Sequence, residues 1–217
     1  MTPTETGLAY DQITQRWTRP EFNRNNGIAQ HKTALSFLDV FASKTDAPPA
    51  TSSLSSLALD VGCGCTGRFI DLLHDNKLVV EGIDISKKML ALAREKHPNN
   101  TFYFGDICTF DLPHQYRFIS AWDCLWHVPL QSQAALITKL CNALQPGGVF
   151  IFSCGGVDEP GEHTNTTMGP EIYYASLGIN GYVRHIIEAD CFIRHIEYEQ
   201  LPEFHTYFVV QKAIPQK

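Results

Sequence analysis

The apolar positions of this chain follow two spacings, which divide it into alternating helices and strands. Between residues 28 and 43 the apolar residues recur at helical spacing, which predicts a helix before the first strand. From residue 57 onward, short apolar runs alternate with further helical stretches. The runs that predict strands are 57–61, 78–84, 101–104, 117–122 and 149–153. Three helices are predicted between these strands. The first is 67–76, the second begins after Ser86, which caps it, and stops at Pro98, and the third is 131–144, which Pro146-Gly147-Gly148 ends.

The order of these elements predicts the fold class. Strands joined by helices need right-handed crossovers and a parallel sheet covered on both faces. After the fifth strand the pattern changes: 155–169 is polar, 179–189 favours a helix, and 191–199 and 204–213 favour two strands around a turn at Pro202. We therefore predict an α/β, doubly wound, mostly parallel seven-stranded sheet with a C-terminal antiparallel hairpin and helices on both faces. The stretch 44–56 is typical of a surface loop.

Size and composition bound the kind of protein. A chain of 217 residues is enough for one domain, 1–217, with a sizeable core. No apolar run approaches the roughly twenty residues that span a bilayer, and the N-terminus lacks a signal-peptide pattern. The seven cysteines form no Cys-x-x-Cys pair, so we predict reduced thiols and a cytoplasmic location. The net charge of −6 and the absence of a basic cluster argue against nucleic acid as a partner.

Candidate chemistry lies at the predicted carboxyl ends of three strands, where ligands of doubly wound sheets bind. The first strand ends in Asp60 and a Gly-x-Gly-x-x-Gly turn, Gly62 to Gly67, whose glycines leave room for a ligand against the backbone. About twenty residues later, Asp84 is placed to accept hydrogen bonds from a ribose. Asp106 ends the third strand and could accept a hydrogen bond from an adenine amino group. A turn without ligand, a helix-capping aspartate and a solvated turn aspartate remain open for these three features.

The acid before the glycines discriminates between cofactors. A dinucleotide presents its pyrophosphate to bare N–H groups at a helix start, where a carboxylate such as Asp60 is unfavourable. A ligand that carries an ammonium and a sulfonium instead gains from a nearby negative charge. The pattern therefore favours S-adenosylmethionine (SAM) over NAD(P).

These segments together resemble the class I, Rossmann-like SAM-dependent methyltransferases. The matching segments are LDVGCGCTG, EGIDIS, FGDI and LQPGGVFIFS, which occur in the family's order between about residues 57 and 153. The resemblance implies that the glycine turn passes under the methionine portion, that Asp84 holds the ribose, and that Asp106 recognises the adenine edge. The full set of cofactor-binding residues expected is Asp60, Gly62, Cys63, Gly64, Gly67, Asp84, Ile85, Asp106, Ile107, Trp122 and Trp17. We expect no metal site.

The resemblance also has departures. Family members usually carry an aspartate near the start of the fourth strand, where this chain has Arg117, so no role is transferred to that position. No Asn/Asp-Pro-Pro-Tyr/Phe tetrapeptide follows the strand, so methylation of nucleic-acid bases is not suggested. The resemblance implies four divisions of the domain: an N-terminal helical lid (1–45), a SAM-binding core (57–153), an acceptor-side insert (155–178) and a terminal hairpin (190–213).

The methyl acceptor is expected beyond the fourth strand. His127 and Asp123 are the candidate catalytic residues, because a base is needed if the acceptor must lose a proton. A structural role for His127 in its loop is the alternative. Candidate acceptor contacts are Trp126, His163, Met168, Tyr173 and Tyr174, although the tyrosines equally suit plain packing. The N-terminal stretch 10–26, with Tyr10, Trp17 and Arg19, is expected to close over the cofactor, and Trp17 also suits core packing.

The sequence thus predicts an enzyme that transfers a methyl group from SAM to a small-molecule acceptor, as a monomer or homodimer. Two alternatives remain at this point: an NAD(P)-dependent oxidoreductase that uses the same glycine turn, and a SAM-binding protein without catalysis. The identity of the acceptor and the methylated atom does not follow from the residues.

Overall fold

The computed structural model describes residues 1–42, 56–200 and 205–215. The predicted loop 44–56 lies outside them except for Ser56. The helices are α1 (Pro3–Gln12), α2 (Gln15–Thr18), α3 (Ile28–Ala42), α4 (Arg68–Asp75), α5 (Lys87–Lys96), α6 (Leu130–Asn142) and α7 (Ile179–Glu188). The strands are β1 (Leu57–Val61), β2 (Val79–Asp84), β3 (Thr101–Phe104), β4 (Tyr116–Ala121), β5 (Leu144–Gly155), β6 (Gly161–Asn165), β7 (Ile172–Ser176), β8 (Cys191–Gln200) and β9 (His205–Lys212).

The main sheet has seven strands in the order β3-β2-β1-β4-β5-β9-β8. Strands β1 to β5 run parallel, whereas β9 pairs antiparallel with both β5 and β8. The predicted fold class is therefore confirmed, including the C-terminal hairpin. The strand order reverses between β1 and β4, and such a switch point is where a doubly wound sheet opens a crevice for ligands.

Both faces of the sheet are buried, as the nearly continuous apolar strands require. On one face, α6 and α7 cover Ile119, Phe150 and Phe208. On the other, α3, α4 and α5 cover Ala58, Phe118 and Val209. The two helix layers fix the positions of the strand ends, from which the candidate site is built.

The predicted boundary between the sixth helix and the fifth strand is wrong. The helix stops at Asn142, and Leu144 to Gly155 form β5, so Leu144 and the Pro146-Gly147-Gly148 segment belong to the strand. Leu144 is 1% exposed and pairs with Tyr116, whose N–H donates to the carbonyl of Ala143 at 2.8 Å. The register shifts in β4 between Tyr116 and Phe118, and Gly147 has φ of +76°. Pairing with β4 therefore decides where β5 begins, five residues before the predicted start at Val149.

The insert after β5 contains a second sheet that the polar pattern did not predict. Strands β6 and β7 pair antiparallel, and Ile172 of β7 packs on Ala9 of α1 and on Ile13, which follows that helix. The N-terminal segment and the insert hence meet each other beyond the strand ends. Across the described ranges, no helix is long and apolar enough to cross a membrane.

Candidate functional site

The glycine turn between β1 and α4 lies at the switch point and takes three left-handed backbone conformations. Gly62, Gly64 and Gly67 have φ of +64°, +56° and +66°. A Cβ on Gly62 would lie 2.5 Å from the Cβ of Cys124, whereas one on Gly64 would meet no atom within 4 Å. Gly62 is thus required by close packing, and Gly64 borders open space.

Asp84 and Asp106 face the same space from the ends of β2 and β3. The carboxylate of Asp84 accepts hydrogen bonds from the N–H groups of Gly64 and Ser86, both at 2.8 Å. Burial raises the pKa of Asp84, and these N–H groups lower it in part. The Oδ1 of Asp106 accepts from the N–H of Cys108 at 2.9 Å. Each aspartate is therefore held in one orientation by the backbone.

A cleft joins these strand ends and has the composition of a small-molecule site. It encloses about 1110 Å³ when the open space at its mouth is included. Most predicted cofactor residues line it: Gly62, Cys63, Gly64, Asp84, Ile85, Asp106, Ile107, Trp122 and Trp17. The predicted catalytic pair, His127 and Asp123, lines it as well. One cavity therefore contains residues from four strand ends and from the N-terminal helices, as expected of a mostly preformed pocket.

His127 is fully hydrogen-bonded within this cleft. Its Nδ1 lies 2.8 Å from the carbonyl oxygen of Tyr173, so Nδ1 carries the proton and Nε2 is the acceptor. The Tyr10 hydroxyl lies 2.6 Å from Nε2, and Nε1–H of Trp126 donates to it at 2.9 Å. Burial lowers the pKa of His127 to about 4. The imidazole is therefore neutral near pH 7 and holds the Tyr10 side chain in place.

Asp123 connects the site to the N-terminal segment. Its carboxylate forms an ion pair with Arg68 at 3.4 Å and accepts from Nδ2 of Asn26 at 3.3 Å. Its N–H donates to Oγ of Ser153 at 2.7 Å, and the backbone of Asp123 has a φ of +57°. Burial raises the pKa of Asp123, whereas the Arg68 charge lowers it. With its charge paired, Asp123 fixes the end of β4 and the guanidinium of Arg68.

Asp60 lies beneath the turn and does not line the cleft. It is 2% exposed and pairs in register with Ser120 of β4. Burial raises the pKa of Asp60 to about 7, and the Arg68 charge acts in the opposite direction. Any influence of Asp60 on a ligand is therefore exerted through the turn above it.

The other predicted residues lie outside the cleft, each for a local reason. Gly67 begins α4, where a Cβ would overlap the imidazole of His97. The indole of Trp126 stacks on His205. The hydroxyl of Tyr173 accepts from the N–H of Leu130 and donates to Glu162. Met168 and Tyr174 pack against the apolar cluster of Ala9, Ile13 and Ile172, and His163 stacks on Tyr174.

Several cleft residues were not among those expected from the sequence. Arg68 and Cys65 belong to the glycine turn and its helix, and Thr6 and Met89 come from α1 and α5. Tyr10 was noted only as part of a closing segment. The Thr2-x-x-Glu5 capping box, which the structure contains, was a usable signal that a helix begins there. Within the described residues, no group of three or more His, Cys, Asp or Glu side chains is arranged to hold a metal ion.

Comparison with known proteins finds similarity to methyltransferases over the central part of the chain. Residues 58–148 match a family model described as a methyltransferase domain. An N,N-dimethyltransferase for dTDP-3-amino-3,6-dideoxy-α-D-glucopyranose from Streptomyces fradiae is 30% identical over 95 residues, which are 43% of this chain and 37% of the relative. A carboxy-S-adenosyl-L-methionine synthase from Campylobacter concisus is 31% identical over 61% of this chain and 58% of the relative. The matched part of the chain hence spans less than two thirds of the length of each of these relatives.

Solved structures extend the likeness to nearly the whole chain. A magnesium protoporphyrin IX methyltransferase from Synechocystis with bound SAM aligns over 98% of both chains, with a TM-score of 0.66 and 16% identity. An S-adenosylmethionine-dependent methyltransferase from Mesorhizobium loti covers 81% of this chain, with a TM-score of 0.59 and 20% identity. At these identities the likeness concerns the fold. Residues 58–148 match the methyltransferase domain family, within a chain that has the class I, Rossmann-like methyltransferase fold.

Proposed function

We propose that this protein transfers a methyl group from SAM to a small-molecule acceptor. The observation that carries the proposal is the single cleft in which the glycine turn, Asp84 and Asp106 converge. The family match supports methyl transfer, and nothing in the comparisons supports the oxidoreductase alternative. By their names, two of the relatives act on small molecules, an amino sugar nucleotide and phosphoethanolamine.

The residues of the cleft fit an adenosyl sulfonium. Gly64 borders open space where a side chain would otherwise stand, which makes room for the methionine portion. The Asp84 carboxylate, fixed by two N–H groups, has lone pairs left for ribose hydroxyls. The pocket is also lined by Asp106 and Ile107, which suit the adenine. Bound SAM would supply an electrophilic methyl group on a cationic sulfur.

The chain's own residues contribute mainly alignment, which suffices for a displacement with a neutral leaving group. The Tyr10 hydroxyl is the polar group that α1 brings to the cleft beside His127. We propose that His127 acts as a positioning residue for Tyr10, because the single lone pair of its Nε2 is already shared by the Tyr10 hydroxyl and the Trp126 N–H. Arg68, held by Asp123, offers a positive charge for an anionic part of a ligand.

The cysteines and the net charge support a location and a class of partner for the protein. All seven cysteines are free, and five of them are buried, which fits the reducing cytoplasm. The acidic net charge fits a small acceptor better than nucleic acid. A monomer or homodimer remains our prediction for the assembly.

Calorimetric titration of SAM and NADH tests the proposal directly. SAM should bind and NADH should not, and candidate acceptors should cause release of S-adenosylhomocysteine. Asp84→Ala should weaken SAM binding by about 1–3 kcal/mol, since it removes hydrogen bonds to a charged group. Asp111→Ala, at an exposed position after β3, is the matched control and should bind normally. Absence of SAM binding at millimolar concentration would refute the proposed function.

A further inference from the structure

A buried chain of polar side chains lies beneath the glycine turn. His31 of α3 is fully buried; its Nδ1 lies 2.7 Å from the carbonyl oxygen of Gly27, and its Nε2 lies 2.8 Å from Oγ of Ser120. Ser120 is also fully buried and pairs in register with Asp60, so its hydroxyl lies beside that carboxyl group on the same face of the sheet. The chain therefore runs from Gly27 through His31 and Ser120 to Asp60.

The number of protons in this chain follows from its donors and acceptors. The Gly27 carbonyl only accepts, so Nδ1 of His31 donates and Nε2 of the neutral ring accepts. Ser120 then donates its only hydrogen to Nε2, which leaves Oγ able only to accept from Asp60. The Asp60 carboxyl must carry a proton for every member to be paired. If that proton is lost, either Nε2 or the carboxylate has no donor from Ser120.

The proton resides on Asp60 and not on His31. Burial lowers the pKa of His31 to about 3, and its ring stacks on Phe69 at 3.8 Å. The groups that face Asp60 have opposing charges: Arg68 from α4 favours its ionised form, and Asp84 at the tip of β2 disfavours it. The thiols of Cys63 and Cys124 also lie near Asp60, and burial keeps both protonated because it raises their pKa.

We propose that Asp60, Ser120 and His31 hold one proton, and that this proton leaves when the cationic SAM binds above the glycine turn. This inference rests on the proposed function and adds a proton-linked step to it. In that step the O–H bond of the Asp60 carboxyl breaks, the electron pair stays on the carboxylate, and the buffer takes up the proton. His31 and Ser120 are positioning residues, since they act on a ligand through Asp60. The free carboxylate then balances the sulfonium charge in a poorly solvated site.

Calorimetry in buffers of low and high ionisation enthalpy measures the released proton. For SAM we expect close to one proton released at pH 6 and close to none at pH 8.5, where Asp60 is already ionised. S-adenosylhomocysteine, which has no sulfonium, should release markedly less at pH 6. SAM binding at pH 6 whose heat does not depend on the buffer would overturn the inference and leave the proposed function intact. Absence of SAM binding would instead refute the proposed function.

Two variants test whether the released proton comes from this row of hydrogen-bonded side chains. Asp60→Asn keeps a donor toward Ser120 but has no proton to release, so SAM should bind to it without proton release. If Asp60→Asn releases as many protons as the wild type on binding SAM, the proton comes from Asp84, Asp123 or His127, and the inference is overturned. His31→Leu frees the Ser120 hydroxyl to donate to the carboxylate, which favours ionisation, so release at pH 6 should fall. If His31→Leu does not fold, the comparison of Asp60→Asn with wild type still decides the question.

Discussion

Single side chains in the cleft have roles that their neighbours determine. A histidine after the fourth strand suggests a general base, but the structure surrounds His127 with a carbonyl acceptor and two donors. The same contacts select its tautomer and leave it neutral. Tyr10, 117 positions away in sequence, thereby becomes the side chain that His127 holds at the cleft.

Replacing Tyr10 with phenylalanine tests this arrangement. We expect kcat to fall roughly 5- to 10-fold, the scale of one hydrogen bond of about 1–1.4 kcal/mol, because the hydroxyl no longer orients the acceptor. The Kd for SAM should change much less, since the lost contact is to His127. Steady-state kinetics and calorimetry measure the two quantities. Tyr103→Phe, whose hydroxyl donates to Glu81 instead, is the control; equal losses in both variants would contradict the prediction.

Secondary-structure elements meet at the site through a few specific contacts. The Oδ1 of Asp11 accepts from the Ser86 hydroxyl at 2.6 Å and from the N–H of Lys88 at 2.9 Å, which docks α1 on the start of α5. Gly7 of α1 lies so close that a Cβ there would be 2.5 Å from the Ile85 carbonyl oxygen. The N-terminal helix is thus attached beside Ile85, one of the residues expected to bind the cofactor.

Asp11→Ala should loosen α1 without unfolding the core. We expect the Kd for SAM to rise about 3- to 10-fold, as for loss of one or two hydrogen bonds. Hydrogen exchange of the α1 amides should become faster in the same variant. Asp75→Ala, an exposed aspartate at the end of α4, should change neither quantity. Unaltered exchange in Asp11→Ala would show that the contact does not hold the helix.

Gly67 is a position at which the start of a helix depends on glycine. Its φ is +66°, and a Cβ there would overlap the His97 ring. Gly67→Ala should therefore destabilise the protein by more than the roughly 1–2 kcal/mol of the left-handed conformation alone. Gly64→Ala, with φ of +56° and open space around it, gives that baseline in urea unfolding. His97→Ala in the Gly67→Ala background should recover the difference; no recovery would exclude the overlap as its cause.

At the scale of the whole molecule, the buried Asp60 connects stability to pH. Its pKa is about 7 in the folded protein and about 3.8 in the unfolded chain. Above pH 7 the Asp60 carboxyl is ionised in both the folded and the unfolded protein, and the folded protein bears the full cost of the buried charge. As pH falls from 7 toward 4, the folded state binds a proton first, so this group's cost disappears.

Asp60→Asn removes that cost at every pH. The variant should be more stable than wild type at pH 8, by on the order of 1–4 kcal/mol. The advantage should shrink as pH falls from 7 toward 5, because wild-type Asp60 becomes neutral. Urea unfolding at pH 8 and pH 5 measures it. An advantage of equal size at both pH values would mean that Asp60 is not the titrating group.

The sequence by itself determined the architecture and the position of the cleft. Apolar periodicity and glycine placement are local signals, and parallel strands necessarily bring their carboxyl ends together. Asp84, Asp106 and Gly64 could therefore be identified from their positions after strands. The boundary at Leu144 could not, because pairing with Tyr116 decided it.

Only the tertiary structure decided how the site is closed and charged. The contacts of Tyr10 with His127, of Arg68 with Asp123, and of His31 with Ser120 join residues separated by 55 to 117 positions. No local pattern specifies such pairs, since each depends on how helices pack on the sheet. Burial then sets the protonation states, because it removes water from groups whose residue type alone implies charge or basicity. Asp60 and His127 are the clearest cases: burial raises the pKa of Asp60 to about 7 and lowers that of His127 to about 4.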